Sequence, residues 1–314
     1  MVSTDRTARP RWRPRLNRDR APGARGRVVF VGASLTPIMV VFIAFSVLPV
    51  LAVIVFSFFR YSFLTNDHSF RGLSYYRQLG ADPLFWNALK RTGEFVIIAV
   101  PLNILISLPA ALGLQRAVRF PGLLRGAYFL PTVMSAVAVS LLGIALFDPS
   151  TGLLNQVLNT LHLPTGHWLT DVSTAPVVVA VLSVWQDLGY NVIIFLAGLQ
   201  AIPGDFAEAA RIDGAGPFAT FWHITLPLLK RTASFTIILT VINYMQAFTY
   251  QWVMMVQGAP DDSTAVMGVY IFKTGIGTES PLLSQAMAAA VVLLAVVLVI
   301  TLVQLRFARV EWDY

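Results

Sequence analysis

The sequence predicts an all-α fold: a polytopic membrane protein with six transmembrane helices and both termini in the cytoplasm. Three observations predict it. Of 314 residues, 56% are hydrophobic and only 12% are charged, about half the charged share of a water-soluble domain. Six mostly apolar windows recur at about 31–59, 94–115, 127–147, 175–200, 233–256 and 284–305, each near the ~20 residues that cross a hydrocarbon core. Basic residues are distributed between alternate loops in the manner of positive-inside topology. The composition excludes an ordinary soluble enzyme, a disordered chain and a collagen-like chain. With no cysteine, a disulfide framework, a thiolate metal site and a Cys nucleophile are excluded as well.

The chain opens on an Arg-rich segment, 1–27, followed by a membrane domain over 28–314. Nine arginines, from Arg6 to Arg27, are opposed only by Asp5 and Asp19, so this segment accounts for the whole net charge of +7. Pro10, Pro14 and Pro22 interrupt it, and its lack of apolar residues predicts a disordered, solvated tail. A cleavable signal needs a short apolar stretch and a small-residue cleavage site, whereas the stretch that follows is too long. Nothing else in the sequence supports a nucleic-acid partner. The tail reads as a cytoplasmic segment that retains the N-terminus inside and touches anionic lipid headgroups.

Within the first three spans, Pro37, Pro49, Pro101, Pro109 and Pro131 are tolerated because neighbouring helices re-satisfy freed carbonyls. The fourth span is the most polar. The N-tail, the loop with Arg116, Arg119 and Arg125, the loop with Arg211, Lys230 and Arg231, and the C-tail with Arg306 and Arg309 hold 17 basic residues; the opposite loops hold 6. The exception is the first external loop, with Arg60, Arg71, Arg77, Lys90 and Arg91, but the nine-Arg tail precedes it and dominates. The loop at 148–174 has no Lys or Arg, as an external loop should.

Between spans four and five, about 201–231, the cytoplasmic connection is long for a compact membrane domain. Asp205 is placed as a helix N-cap, with Glu208 three residues on as its capping-box partner. Phe206, Ala209, Ala210 and Ile212 give the short helix an apolar face, and Gly214 and Gly216 suit a left-handed turn that ends it. Phe218, Phe221, Trp222, Ile224 and Leu226 open a second apolar stretch, which Pro227 redirects into span five. So much apolar surface facing water predicts a docking partner. An interfacial helix without a partner is the alternative on these residues alone.

Glu208-Ala209-Ala210, then Gly214, then Ile224-x-Leu226-Pro227, resembles the EAA motif of ABC importer permeases. Phe70-Arg71-Gly72-Leu73-Ser74-Tyr75-Tyr76 and Asp82-Pro83-Leu84-Phe85-Trp86-Asn87-Ala88 resemble the first external loop of the carbohydrate-type permeases. Asp148-Pro149-Ser150-Thr151-Gly152-Leu153-Leu154-Asn155 resembles the segment before their fourth span. The C-terminal Glu311-Trp312-Asp313-Tyr314 is similar to the maltose-permease F-like member of the usual heterodimer, and the G-like tail Gly-Ala-Val-Lys-Gly is absent. The Arg-rich tail lies outside the pattern. The resemblance implies that Glu208, Ala209, Ala210, Asp213, Gly214, Ile224, Leu226 and Pro227 belong to a coupling helix that fits a cleft in an ATPase subunit. It also implies a multi-pass protein of the bacterial cell membrane. Its partners would be a second, G-like permease subunit, two copies of the ATPase, an extracellular substrate-binding protein and a carbohydrate substrate.

The chain carries no engine of its own. Its nearest approach to a P-loop, Gly268 to Lys273-Thr274, has Phe272 in the second Gly position and lies in an external segment. ATP hydrolysis is expected on another subunit, and ATP and Mg are expected there rather than as cofactors of this chain. His68, His162, His167 and His223 are scattered, which gives neither a zinc cluster nor a hydrolytic triad.

Polar residues at membrane depth predict a substrate path. Asp187 is the only charged residue well inside a span, Glu94 lying at the start of span two, and a carboxylate in hydrocarbon is costly unless it faces a cavity or a partner. At helical spacing Ser183, Asp187, Tyr190 and Asn191 share a face, with Gln186 beside them. Span five offers Thr240, Asn243 and Tyr244 at similar depth. Aromatic faces with amide and carboxylate acceptors suit sugar rings and hydroxyls, and in the permeases this chain resembles the substrate site lies on the spans flanking the coupling loop. Bonding between helices is the alternative role. Two rival functions remain on the sequence: import of a glycerol-phosphate-like or other polyol substrate, of which Asp187 would repel the phosphate, and a stand-alone secondary transporter or membrane enzyme, which needs a coupling-ion site or catalytic cluster that one buried acid does not make.

Overall fold

The computed structural model describes residues 24–61, 69–116, 121–277 and 282–307. The expectations for residues 1–23, His68, Arg119, Arg309 and the C-terminal tetrapeptide lie outside them. Among the described residues the chain is helical, with one isolated bridge, Phe59 to Phe70, and no longer strand. It divides into two units, Met1–Ala52 and Val53–Tyr314.

The first unit holds α1, Ala24–Phe42, which starts inside the segment that charge assigned to the tail. A π-helical turn at Ile43–Val47 follows, and α2, Leu48–Phe56, continues from it into the second unit. The π turn has a cause in the sequence. Pro49 has no N–H to give the carbonyl four residues back, and its ring crowds that carbonyl. The helix widens instead, and Leu48 N–H donates to Ile43 O, five residues back. Val29–Phe56 is apolar on every side.

The second unit is built around α4, Pro83–Arg116, and α8, Ala175–Gln200. These two run parallel. Arg91 and Phe95 of α4 meet Pro176 and Val179 of α8 around one small cavity. At the far end Ala111 and Leu114 pack with Leu196 and Leu199, and Gln115 Nε2 donates to Leu199 O at 3.5 Å. After α8 come the short helices α9, Gly204–Ile212, and α10, Pro217–Thr220, then α11, Leu226–Met245. Leu229, at the start of α11, packs at the Leu199 end, and Tyr244, near its finish, meets Phe95. So α11 runs antiparallel to α4 and α8. Then α12, Thr249–Val253, and α13, Met267–Gly275, lead to α14, Leu283–Phe307. The remaining helices are α3, Ser74–Ala81, α5, Pro121–Phe129, α6, Ala136–Phe147, and α7, Leu153–Thr160.

Where six spans were expected, five described helices are long and apolar enough to cross a membrane. The exception is the window at 127–147, which is broken. Helix α5 stops at Phe129, a 3-10 turn occupies Pro131–Val133, Met134 is extended, and α6 is 12 residues long. Pro131 cannot donate back into α5, and the chain turns there. The break is held by α8: Gln186 Nε2 donates to Met134 O and Thr132 Oγ1 donates to Gln186 O, each at 2.7 Å. Gly189 lets the two elements meet, since a Cβ there would stand 2.3 Å from Tyr128 O.

Candidate functional site

The eight polar positions that the sequence singled out line two adjoining cavities of the second unit. One, about 210 Å³, is lined by Ser183, Gln186, Asp187, Asn243 and Tyr244, with Phe95, Phe248 and Tyr250 as aromatic wall. The other, about 380 Å³, is lined by Thr132, Asp187, Tyr190, Asn191, Thr240 and Asn243. Asp187 and Asn243 belong to both, and Asn243 Nδ2 donates to Asp187 Oδ2 at 3.2 Å. Three elements meet here: α8 gives the 183–191 face, α11 gives Thr240, Asn243 and Tyr244, and the break before α6 gives Thr132.

The eight differ in how far their hydrogen-bonding groups are already engaged. Asn191, 3% exposed, donates to Asn103 Oδ1 at 2.6 Å and to Thr240 Oγ1 at 3.0 Å. Asn103 in turn donates to Tyr244 Oη at 3.0 Å. This buried network ties α4, α8 and α11 together. Ser183 bonds within its own helix, to Val179 O. Gln186 is engaged at both ends, donating to Met134 O and accepting from the Tyr250 hydroxyl. Asp187, Tyr190 and Asn243 are presented to the cavities, and Tyr190 is 51% exposed. The inter-helix role therefore describes Gln186, Asn191, Thr240 and Tyr244, while Asp187 and Asn243 form the polar pair at the meeting of the two cavities.

Sequence reasoning missed Asn103, Thr132 and Tyr250. Asn103 is an amide in the middle of span two and could have been flagged on the same ground as Asp187. Thr132 was signalled indirectly by Pro131, whose missing N–H marks where a helix can open. Tyr250 lies four residues beyond Gln246, where the fifth window was read as one continuous helix.

At the far end of α8 lies the second candidate region. Helix α9 is capped by Pro203, with φ −58° and ψ 136°, and has no side-chain cap. Asp205 is therefore not the N-cap; it sits in the first turn, where its charge suits the positive end of the helix. Gly214 ends the helix at φ +78°. Its N–H donates to Arg211 O at 3.1 Å, and Ala215 N–H donates to Ala210 O at 2.8 Å, the paired bonds of a Schellman cap. Gly216 is extended, with φ −70°, and begins the next helix instead.

Pro227 does not redirect the chain. Helix α10, a π turn at Phe221–Thr225 and α11 run on without interruption, and Leu226 N–H donates to Phe221 O. The π turn ends two residues before the proline, the spacing already seen at Pro49. Glu208, Ala209, Asp213, Gly214 and Pro227 are exposed, Ala210 is buried, and Ile224 and Leu226 are half-buried. Phe206, Ile212, Phe218 and Trp222 are exposed apolar side chains around them, Ile212 at 86%.

Comparison with known proteins adds four findings. The model of the binding-protein-dependent transport system inner membrane component family matches residues 103–309. The chain is 30% identical to the arabinooligosaccharides transport system permease protein AraP of Bacillus subtilis (strain 168), over 87% of this chain and 86% of that protein. It is 35% identical to the lactose transport system permease protein LacF of Rhizobium radiobacter, over 76% and 81% respectively. Among solved structures, a chain of a bacterial ABC transporter involved in the import of the acidic polysaccharide alginate superposes with a TM-score of 0.78 over 90% of this chain and 96% of its own, at 22% identity.

Proposed function

The chain belongs to the family of binding-protein-dependent transport system inner membrane components, and we propose that it carries a neutral di- or oligosaccharide into the cytoplasm through the cavities around Asp187. It is a transport subunit of the inner membrane. The observation that carries the proposal is the convergence of the polar face of α8 with Asn243 of α11 on cavities inside the membrane unit. A carboxylate and an amide held 3.2 Å apart offer acceptors and donors to hydroxyls, with aromatic walls for ring faces. The saccharide-transporting names of the relatives agree with this chemistry.

In this reading the membrane domain is 28–314, the Arg-rich 1–27 is a cytoplasmic tail, and the chain crosses six times. The broken α5–α6 segment makes the third crossing, since its freed carbonyl at Met134 is satisfied by Gln186 and interrupted backbone is tolerated where protein or a cavity covers it. The parallel course of α4 and α8 supports this topology. Lys230 and Arg231 fall at the end marked by Leu199 and Leu229, which the positive-inside bias assigns to the cytoplasm. There α9, with Glu208 beside the Gly214 turn, serves as the coupling helix and docks its exposed apolar side chains on an ATPase subunit present in two copies. ATP and Mg bind on that partner. A second permease subunit completes the pore, and an extracellular binding protein delivers the saccharide at the opposite end.

The test is reconstitution of the whole complex in proteoliposomes with its binding protein. ATP-dependent uptake of labelled oligosaccharide, lost in Asp187→Ala while binding-protein affinity holds, is the expected outcome. Uptake of no saccharide from a broad panel would refute the reading. Topology is tested separately: a cysteine at position 160 should react with an impermeant maleimide in intact cells, and reaction only after permeabilisation would reverse the assignment.

A further inference from the structure

A third cavity, of about 480 Å³, lies at the end of the second unit away from α9. Helix α4 reaches it through Leu84, Asn87 and Ala88, and reaches the Asp187 cavities only at Phe95. The seven residue steps from Ala88 to Phe95 separate the two by ~10 Å along the helix. Helix α13 gives it Tyr270, Lys273 and Thr274, one face at i, i+3 and i+4. The first turn of α14 gives Gln285, and the loop before α13 gives Asp262.

We propose that this cavity is an outer saccharide subsite, occupied by the transported carbohydrate before it reaches Asp187. The inference rests on the saccharide reading above and extends it to residues outside the membrane-depth site. Three features carry it. The volume falls in the range of small-molecule sites, ~300–1,000 Å³. The polar groups are fixed before any ligand arrives: Tyr270 Oη donates to Asp82 Oδ2 at 2.6 Å, Gln285 Nε2 donates to Tyr270 Oη at 3.3 Å, and Lys273 Nζ pairs with Asp262 Oδ1 at 3.4 Å. Burial, and then the bond to Asp82, push the Tyr270 phenol up to about 12, so it keeps the proton that it gives to Asp82.

The third feature is the balance of the wall. Leu84, Ala88, Ala265 and Leu282 supply an apolar floor beside the polar groups, which matches the C–H face and hydroxyl rim of a sugar ring. The charged lining is Asp82 and Asp262 against Lys273, one net negative charge. That sign disfavours phosphate and carboxylate ligands and leaves neutral saccharides.

The experiment uses the complete importer in nanodiscs without binding protein, and an aryl-diazirine glycoside of a saccharide that the complex imports. Photolysis should label peptides from 82–88 or 270–285, and excess unlabelled saccharide should suppress that label. Asn87→Leu should lower it several-fold, as should Gln285→Leu. Asp187→Ala should leave it in place while removing label from 183–191. Two results overturn the proposal: no competed label at the outer peptides, or outer label that survives both Asn87→Leu and Gln285→Leu. If Gln285→Leu fails to assemble, Asn87→Leu, at a half-buried position, decides alone. A complex that imports no saccharide refutes the functional reading first, and the subsite falls with it.

Discussion

Asp187→Ala and Asn191→Leu should fail in opposite ways, because the structure engages these two residues differently. Asn191 donates two hydrogen bonds inside a buried network, at 2.6 and 3.0 Å. Replacing it removes the donor to Asn103 Oδ1 and to Thr240 Oγ1, at 0% and 5% residue exposure. Inter-helix hydrogen bonds in membranes average ~0.6 kcal/mol each and reach ~1.7, so two of them, with the stranded partners, set a loss of ~1–3 kcal/mol in stability. Asp187 accepts from Asn243 at 3.2 Å and from the Tyr244 hydroxyl, so its removal costs ~1–2 kcal/mol of fold stability on the same scale. If its carboxylate accepts saccharide hydroxyls, each charge-assisted bond lost is worth ~1.5–3 kcal/mol, which is ~10- to 150-fold in transport at low substrate. The assay is thermal unfolding of the purified complex beside initial uptake per assembled complex. Asn191→Leu should lower the melting temperature by several degrees and reduce yield. Asp187→Ala should lower melting less than Asn191→Leu does and reduce uptake at least tenfold, with Asp187→Asn milder. A full per-complex rate in Asp187→Ala would refute the substrate role, and a large drop in melting temperature would make it structural.

Gly189→Ala should reduce assembly of the complex, because the new Cβ would stand 2.3 Å from a backbone oxygen, Tyr128 O, and overpacking of this kind costs ~1–3 kcal/mol; wild-type melting would show that the α5–α8 contact yields. Gly214→Val should weaken ATPase stimulation while the permease still reaches the membrane, since φ is +78° there and a left-handed residue with a Cβ costs ~1–2 kcal/mol; unchanged coupling in the purified complex would count against α9 as the coupling helix. Asp148 gives a pH prediction. The Ser150 hydroxyl first, then the Thr151 and Ser150 N–H groups and the Thr151 hydroxyl, hold its carboxyl well below the usual carboxylate range. A lowered pKa stabilises the fold above the ordinary carboxylate value, and that contribution is lost as pH falls through the folded one. Protease nicking within 148–155 should stay slow at pH 5 and rise only in strong acid, and Asp148→Ala should make it fast at neutral pH; a wild-type rise already at pH 5 would contradict the sign.

Much of this architecture could be read from the chain. The fourth window coincides with α8, because polar Thr174 and the Pro203 turn punctuate it on either side. Gly214 was identifiable because a helix that ends in a left-handed turn selects glycine there. Other features depend on partners that are distant in sequence. Hydropathy cannot show that 127–147 opens at Pro131, since the same apolar residues fill both a continuous and a broken crossing. What decides is Gln186, about fifty residues away, which supplies the missing bond to Met134. Asp205 was misplaced by two positions because Pro203, with its fixed φ, starts the helix earlier than a capping-box pattern indicates. The polar face of α8 was legible as a periodicity. Which of its groups are engaged was not, because Asn191 is occupied by Asn103, a residue on another span.

Helix α8 divides its polar residues between two tasks, and that division bears on how a distant site could move the cavities. Gln186 and Gly189 hold the broken α5–α6 segment, and Asn191 holds α4 and α11. Asp187, between them in sequence, faces the cavities. The cavity lining is thus rigidly tied to the helix on three sides. Helix α8 passes into α9 through the short turn at 201–203, and α9 returns through α10 and the π turn into α11. The two helices that supply Asp187 and Asn243 to the cavities are therefore the two that flank the α9–α10 segment. A displacement of α9 reaches both walls through short turns, 201–203 on the α8 side and 213–216 on the α11 side. Beyond the 213–216 turn, the Phe221–Thr225 π turn is the irregular point in the helix that runs into α11, where Pro227 has already removed a backbone bond, and that helix would give there first. Pro227→Ala, which restores the missing N–H, should tighten that turn and stiffen the link from α9 to Asn243. The expected readout is a changed ratio of ATP hydrolysed to saccharide imported, with the fold intact. An unchanged ratio would place the flexible point of the pathway elsewhere.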